Sequence, residues 1–163
     1  MSQPTADRPE IPEYGVPESH EGLVSWEWAR KRLELSLIYW MATTRPNGRP
    51  HSVPLWGVWL DDHLFFDGGA HTRHLRNLAE CPWASVHLES GTEVVILEGR
   101  VEPVASPDPQ LAARLSASYT DKYREEGYAP EPGAWDEGGL YRFQPARGWA
   151  WRAFPQDATR FHF

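Results

Sequence analysis

Short hydrophobic segments separated by tight turns dominate the first half of this chain. An apolar run over 37–44 is followed by Pro-Asn-Gly at 46–48, a second run over 51–60, two aspartates at 61–62 and a third run over 64–66. Turns this short join antiparallel neighbours. Because closure removes exposed strand edges, several antiparallel strands in a row favour a barrel.

Details within these runs predict how each strand is placed. The run over 37–44 is almost wholly apolar, which is typical of a strand buried on both faces. Pro54 cannot donate to a strand ladder, so its strand is expected at an edge or a bulge. Trp56 and Trp59 lie on opposite faces of that strand, so at most one of them contacts a ligand.

Further strands follow along the chain. Alternation over 84–88 predicts a half-buried strand, and the turn at 90–91 leads back into a strand over 93–104. Three shorter strands are predicted near the end, over 140–145, 149–151 and 159–163. The fold class is therefore α+β, mainly β with flanking helices.

Three helices are predicted between the strands, and the short one is described below. Ser25 caps the first, over 26–35, where Glu27 and Lys31 have the spacing of an ion pair. Ser106 caps the third, with proline at its first position. The apolar stripe of this third helix is Leu111, Leu115, Tyr119 and Tyr123.

The length and composition of the chain predict one domain preceded by a loosely packed N-terminal segment. The first 20 residues carry four prolines and few apolar groups, which predicts a disordered or loosely packed N-terminal arm over 1–20. The remaining residues, 21–163, are long enough to bury a core.

Charge and cysteine usage exclude several classes of protein. A formal net charge of −7 argues against nucleic-acid binding and against docking on anionic membranes. Cys81 is the one cysteine, so no disulfide framework or cysteine metal site is expected. No apolar run reaches the length of a membrane span, and a cytoplasmic location is expected.

The short helix that follows Gly68 and Gly69 begins with basic rather than acidic residues. Arg73, His74 and Arg76 lie where unpaired N–H groups already give the helix start a partial positive charge. An anion such as phosphate would relieve this repulsion. The alternative is a solvated basic turn at the surface. His71 and His74 have no third ligand at usable spacing, so no metal site is expected.

Helical geometry divides this short helix into two faces. Arg73 and Asn77 fall opposite the apolar Leu75, so neither is expected to contribute to the core. Arg73 is the expected phosphate ligand, while Asn77 has either a ligand-binding or a surface role.

Five segments in order carry a family resemblance, namely 43–56, 64–66, 72–78, 84–88 and 95–101. Together they resemble the pyridoxamine 5'-phosphate oxidase-like FMN-binding split-barrel proteins, a superfamily that includes deazaflavin-dependent relatives. The resemblance implies a six-stranded antiparallel split β-barrel with flanking helices. It also implies a homodimer that holds the cofactor in grooves at the subunit interface.

The resemblance also implies which residues hold the cofactor. Residues 53–58 would run along the flavin ring, Asp67 and Gly68 would lie beside the ribityl chain, and the turn at 72–74 would hold the phosphate. The full set of candidate cofactor-binding residues is His51, Ser52, Val53, Pro54, Leu55, Trp56, Asp67, Gly68, Thr72, Arg73, His74 and Asn77.

Two positions depart from the family pattern. His74 stands where relatives often carry lysine, and its charge titrates near neutrality. Val94 stands where the pyridoxamine phosphate oxidases carry a glutamine that bonds the ring, so oxidation of vitamin B6 is not expected.

The expected function is that of an oxidoreductase in which FMN supplies the redox chemistry for a small or planar substrate. A deazaflavin coenzyme of the F-420 type is the alternative cofactor, and no side chain is required as a catalytic acid or base. A different class is a non-enzymatic dimer that stores or senses flavin or haem. A third hypothesis is a structural dimer that has lost cofactor binding.

Overall fold

The computed structural model describes residues 3–163 and places nine strands in one antiparallel sheet. The strands are β1 Thr5–Asp7, β2 Tyr39–Thr44, β3 Pro50–Leu55, β4 Val58–Leu60, β5 His63–Asp67, β6 Trp83–His87, β7 Val94–Val104, β8 Leu140–Trp151 and β9 Thr159–His162. The helices are α1 Trp26–Leu35, α2 Arg73–Glu80 and α3 Pro109–Tyr123, with a 3-10 turn at Pro132–Trp135.

The sheet order is β1-β9-β8-β7-β6-β2-β3, and β4 joins through β5, which pairs with β8. This arrangement confirms the α+β class and is consistent with a split barrel. The described residues hold nine strands rather than six because β1 and β9 extend the sheet and Gly57 divides the second apolar run. A Cβ at Gly57 would lie 2.7 Å from the Phe65 carbonyl oxygen, so only glycine allows this close approach.

Strand β8 is one continuous element of 12 residues with three partners. It pairs with β7 along its length, with β5 over 140–143 and with β9 over 147–150. The prediction of two short strands was wrong. The ladder shifts register between Glu98 and Gly99, so Ala146 has no partner on β7 and the strand continues through this bulge.

The bulge brings two main chains unusually close. A Cβ at Gly99 would lie 2.1 Å from the carbonyl oxygen of Gln144 and 2.8 Å from the Cα of Pro145. Both neighbours are backbone atoms and cannot rotate away. Glycine is therefore required at this position by packing.

Helix α1 has the predicted bounds, and Ser25 Oγ accepts from the Trp28 N–H at 3.3 Å. The predicted Glu27–Lys31 ion pair is not formed. Arg30 instead donates to Glu27 at 2.7 Å and to Glu34 at 2.6 Å, because its longer forked side chain reaches both carboxylates.

Helix α3 begins two residues later than the prediction. The carboxylate of Asp108, rather than Ser106, accepts from the N–H groups of residues 110 and 111, each at 3.0 Å, and Pro109 opens the helix. The predicted stripe is confirmed at Leu115, Tyr119 and Tyr123, which are fully buried, whereas Leu111 is half-buried.

Only one face of β2 is buried, which corrects the prediction of burial on both faces. Tyr39, Met41 and Thr43 point into the barrel core, while Trp40 and Ala42 are half-buried. The second face is part of an open sheet surface with no further layer from the described residues packed across it. A second hydrophobic cluster packs α3 against β4 and β5, outside the barrel.

The start of the chain is attached to the sheet, so the prediction of a loose arm was wrong for residues 3–9. Strand β1 pairs with β9, and Arg8 is only 8% exposed. It donates to the main-chain oxygens of Ser19, Glu21 and Ala158. Main-chain pairing and charged hydrogen bonds attach this segment without an apolar core, whereas residues 10–22 are mostly exposed.

Acid is expected to release β1 from the sheet. The Asp7 carboxylate accepts from Arg160 at 2.8 Å and contacts His162 at 3.2 Å, and these contacts lower the pKa of Asp7 to about 2. A carboxyl whose folded-state pKa is lowered stabilises the fold above its unfolded value of 3.8, and this is lost as pH falls towards 2. Amide exchange in β1 should therefore lose protection between pH 5 and pH 2.5, relative to β7 and β8.

The variant Asp7→Asn is the matched control for this expectation. It should show the weakened protection of β1 already at pH 5, with little further change in acid. Equal protection of β1 in the natural chain at both pH values would contradict the role of the ion pair.

Candidate functional site

Strand β3 lies at the edge of the sheet and presents an open main chain. The Arg45 N–H donates to the Arg49 oxygen at 2.9 Å, and bonded and non-bonded pairs alternate along an antiparallel ladder. Pro50, Ser52 and Pro54 therefore occupy the non-bonded positions. The edge prediction for Pro54 is confirmed, and the main-chain groups of Ser52 point away from β2 towards a side that no described strand covers.

The pleat of β3 divides the predicted site residues between two faces. His51, Val53 and Leu55 oppose Thr43, Met41 and Tyr39 and lie on the inner face. Ser52 and Pro54 lie on the outer face, opposite the half-buried Ala42 and Trp40. A flat ligand along this edge would therefore meet main-chain groups of the whole strand but side chains of only alternate residues.

Helix α2 begins at Arg73, as predicted, with an unusual first turn. Thr72 occupies the cap position without a side-chain cap bond, and no acidic residue lies in the first turn. Arg73 and Arg76 are exposed and form no ion pair with residues 3–163. The helix start therefore combines unpaired N–H donors with uncompensated positive charge.

His74 and Asn77 lie beneath α2, which corrects the prediction that Asn77 lies on the face away from the core. Asn77 is fully buried, and its Nδ2 donates to Thr43 Oγ1 at 3.0 Å. His74 is 7% exposed. The helix packs against β2 and β3 as well as through Leu75, so two of its sides are covered.

Two polar atoms in this buried region have no partner among the described residues. They are Nε2 of His74 and Oδ1 of Asn77. Unpaired buried polar groups cost about 1–3 kcal/mol each, so native structures usually supply a partner. A bound polar ligand is one such partner.

The surroundings of His74 bring several predicted residues together. A Cβ at Gly68 would lie 3.8 Å from His74 Nε2, and the Phe66 ring centroid is 6.4 Å from the imidazole. Burial lowers the pKa of His74, and the charge of His51 lowers that pKa further. The structure thus gathers His51, Gly68 and His74 with Asn77.

Thr43 belongs to the same cluster, although the sequence analysis did not select it. Its hydroxyl accepts from Asn77 and lies 3.4 Å from the His51 carbonyl oxygen. Its position directly across the Pro-Asn-Gly turn from His51 was the available signal, because paired residues share a face.

Asp67 is engaged by another part of the chain. Its Oδ2 accepts from the Tyr128 hydroxyl and from Trp135 Nε1, the latter at 3.3 Å. Burial and the neighbouring carboxylate raise the pKa of Tyr128. The Gly68 N–H donates to the Gly139 oxygen at 3.1 Å, so this corner attaches the segment 128–139 to the end of β5.

Trp56 follows β3 and forms an aromatic wall beside the open edge. Its indole is 38% exposed and stacks on Tyr123, with ring centroids 4.9 Å apart and an angle of 14°. Trp59 is buried in the core. Of the two tryptophans, only Trp56 is accessible to a ligand.

A half-buried lysine behind Trp56 was not predicted from the sequence. Lys122 Nζ donates to the Gly57 oxygen at 2.9 Å and to the Tyr39 hydroxyl at 3.1 Å, and it forms no ion pair with residues 3–163. Burial lowers the pKa of Lys122 to about 8 and raises the pKa of Tyr39. The Gly57 N–H donates to the Tyr123 hydroxyl at 2.9 Å.

The basic start of α2 and the polar atoms beneath it are suited to an anionic ligand. The described residues contain no group of three metal-ligating side chains. They do contain a basic helix start, buried unpaired polar atoms and an open strand edge close together. No helix in the described part of the chain is long and apolar enough to cross a membrane.

The fold is that of a split barrel, and comparison with protein families agrees. The family model described as pyridoxamine 5'-phosphate oxidase matches residues 26–152. The chain therefore belongs to the pyridoxamine 5'-phosphate oxidase family. A comparison with curated proteins found no match.

Several solved structures share the fold at low sequence identity. An F420 reductase is 24% identical with a TM-score of 0.56, over 73% of this chain and 94% of that one. An FAD-binding protein from Mesorhizobium loti is 18% identical with a TM-score of 0.57, over 86% of this chain and 96% of that one. A haem-binding protein from Mycobacterium smegmatis is 21% identical with a TM-score of 0.61, over 80% of this chain and 55% of that one.

Proposed function

We propose that this protein is a flavin-dependent oxidoreductase that binds FMN, with a deazaflavin coenzyme of the F-420 type as the alternative cofactor. The observation that carries the proposal is the pair of buried, unpartnered polar atoms on His74 and Asn77, beneath a helix start with uncompensated positive charge. A bound phosphate would accept from His74 Nε2 and neutralise the helix start, and a hydroxyl of the attached chain would donate to Asn77 Oδ1. The membership of the family and the fold shared with an F420 reductase and an FAD-binding protein support it.

The proposal gives each part of the site a separate task. The turn at Thr72 and Arg73, with His51 and His74, would hold the phosphate, and Gly68 would leave room for the attached chain. The open edge of β3 would align the ring and Trp56 would exclude water from one side. When bound, the flavin supplies hydride transfer to or from a small or planar substrate.

The proposed assembly is a homodimer with the cofactor between subunits. A row of half-buried side chains crosses the open face of the sheet at Trp40, His87, Ile96 and Trp149, as the strand register requires. Trp40 and His87 stack with centroids 6.4 Å apart and rings 5° from parallel. An aromatic, partly apolar sheet face of this kind is suited to a subunit contact.

Vitamin B6 is not the proposed substrate. Val94 at the start of β7 is buried and offers no side-chain hydrogen bond where the oxidases carry glutamine. The proposal therefore leaves the substrate as a small or planar acceptor. Mixing the reduced, FMN-loaded protein with candidate acceptors and following reoxidation of the flavin tests turnover.

Arg73→Ala is expected to weaken FMN binding by about 10- to 100-fold, which corresponds to the roughly 1.5–3 kcal/mol of one charge-assisted hydrogen bond. Arg76→Ala is the matched control, because Arg76 is equally exposed on the same helix but lies one turn along from the cap. Its dissociation constant should stay within about twofold of the natural value. Titrations followed by flavin fluorescence measure both, and equal behaviour of the two variants would contradict the phosphate assignment.

A second candidate function is haem or flavin binding without turnover. His87 favours it, because its Nδ1 bonds the Leu88 oxygen at 2.9 Å, which leaves Nε2 as the nitrogen for a metal, and its ring stacks with Trp40. A neutral imidazole held this way is a typical haem ligand. Haem addition would then give a sharp absorbance band that His87→Ala abolishes, while the flavin-loaded protein would reduce no acceptor.

A further inference from the structure

His51 and His74 are two histidines beneath α2, called here the histidine pair. Neither is needed to balance the charge of the helix or to fill the hydrophobic core. His51 lies on the inner face of β3 opposite Thr43, whose hydroxyl accepts from Asn77 on α2, and the charge of His51 lowers the pKa of His74. Nε2 of His74 has no partner among the described residues, and a Cβ at Gly68 would lie 3.8 Å from it. Asn77 and Thr43, which are hydrogen-bonded to each other at 3.0 Å, belong to the same buried polar cluster.

The charged groups on the surrounding elements leave the pair without a counterion. Helix α2 contributes Arg73 and Arg76, which are both exposed cations. Strand β5 ends in Asp67, whose Oδ2 is held by Tyr128 and Trp135. Strand β2 contributes only neutral side chains to this side, and Arg45 follows it. Neither imidazole forms an ion pair with a described carboxylate.

We infer that the His51–His74 pair is a proton-coupled binding site for a phosphate monoester, which takes up a proton when the anion docks. This inference rests on the proposed function and adds the regulation of its phosphate site by pH. An imidazolium Nε2 would donate a charge-assisted hydrogen bond to a phosphate oxygen. The same nitrogen in neutral imidazole offers a weaker interaction or none, depending on the tautomer.

The direction of the pH effect follows from comparing the histidine pair without an anion and with a bound phosphate. Without an anion, burial and the second imidazole favour the neutral form of His74, and its pKa is lowered. A docked phosphate favours the charged form and raises that pKa. Binding therefore takes up a proton, and affinity rises as pH falls. Lysine or arginine at these positions would stay charged and give no such dependence near neutrality.

The test measures FMN affinity against riboflavin affinity between pH 8.5 and pH 6.5. This window stays above the second pKa of a phosphate monoester, which is about 6, so most of the FMN remains a dianion throughout. The dissociation constant of FMN should fall about five- to tenfold as pH decreases across this range. Riboflavin has the same ring but no phosphate, so its affinity should change less than about twofold.

Two variants test whether His51 and His74 cause the pH dependence of FMN binding. His74→Lys should retain FMN binding while losing most of the pH dependence, with folding checked by circular dichroism. His51→Gln keeps the half-buried strand position and should reduce the dependence without removing it. A slope unchanged in both variants would overturn the inference.

Histidine NMR with inorganic phosphate separates this inference from the proposed function. Phosphate should raise the titration midpoint of His74 by about half a pH unit or more. If FMN fails to bind while this shift is observed, the proposed function is wrong and the anion site stands. If FMN binds equally at all pH values and phosphate moves neither imidazole, the function stands and the inference is overturned.

Discussion

Replacing Gly99 with alanine is expected to lower the melting temperature of this protein by about 10 °C. The new Cβ would lie 2.1 Å from the Gln144 oxygen and 2.8 Å from the Pro145 Cα, both on the neighbouring strand β8. Neither atom belongs to a side chain that can rotate away, so the β7–β8 ladder must separate at its bulge. We expect a loss of about 3–4 kcal/mol in the free energy of unfolding.

Gly91→Ala is the matched control for this experiment. Gly91 lies in the exposed turn before β7, and a Cβ there would meet nothing within 4 Å. The same chemical change should alter the free energy of unfolding by no more than about 0.5 kcal/mol. Thermal unfolding followed by circular dichroism compares the two variants, and equal melting temperatures would show that the bulge adapts.

Lys122→Met is expected to stabilise the protein by about 2 kcal/mol at pH 7. Burial lowers the pKa of Lys122 from 10.5 to about 8, so holding the charged amine in the folded state costs about 3 kcal/mol. Methionine keeps the buried stem but removes two hydrogen bonds, to Gly57 and Tyr39, which reduces the gain. Gly57 O still accepts from the Tyr123 hydroxyl at 2.8 Å.

The pH dependence of stability checks the cause of this gain. A base whose folded-state pKa is lowered destabilises the fold while it is charged, and this penalty fades as pH rises from about 8 towards 10.5. Urea unfolding of the natural chain should therefore show a rise of about 1 kcal/mol between pH 7.5 and pH 9. Above pH 10 the buried tyrosines reverse the trend, because their raised pKa values favour unfolding there.

In Lys122→Met this rise should be absent. Lys31→Met changes an exposed lysine on α1 and should leave the rise intact. Parallel pH profiles for the natural chain and Lys122→Met would show that the amine does not cause the dependence.

Local patterns predicted much of the fold because the signals were themselves local. The bounds of α1, the edge position of Pro54 and the tight turn at 46–48 depend on residues within a few positions of one another. The bulge in β8 depends instead on Gly99, more than 40 residues away, so Ala146 and Gly148 resembled a turn in the sequence. Likewise, β1 is a strand only because β9 is present to pair with it.

The basic part of the candidate site was predicted from the sequence, whereas the residues whose burial depends on tertiary packing were missed. The basic start at Arg73 stands out in an acidic chain, but helical periodicity alone placed Asn77 outside. Asn77 is buried because β2 and β3 cover a side of α2 whose polar residues would normally face solvent. Lys122 was missed because a lysine beside an apolar stripe normally extends into water. Its amine is held inside by hydrogen bonds to the Gly57 oxygen and the Tyr39 hydroxyl, which are distant in the sequence.

Strand β8 also determines when this chain can finish folding. Three other strands depend on it for hydrogen bonds, and two of them, β5 and β7, come before it in the sequence. While the ribosome is still adding residues 140–151, β5 and β7 each have an unsatisfied ladder edge that can pair with a neighbouring nascent chain. Slow translation before residue 140 should therefore increase aggregation, and a chaperone that shields strand edges should reduce it.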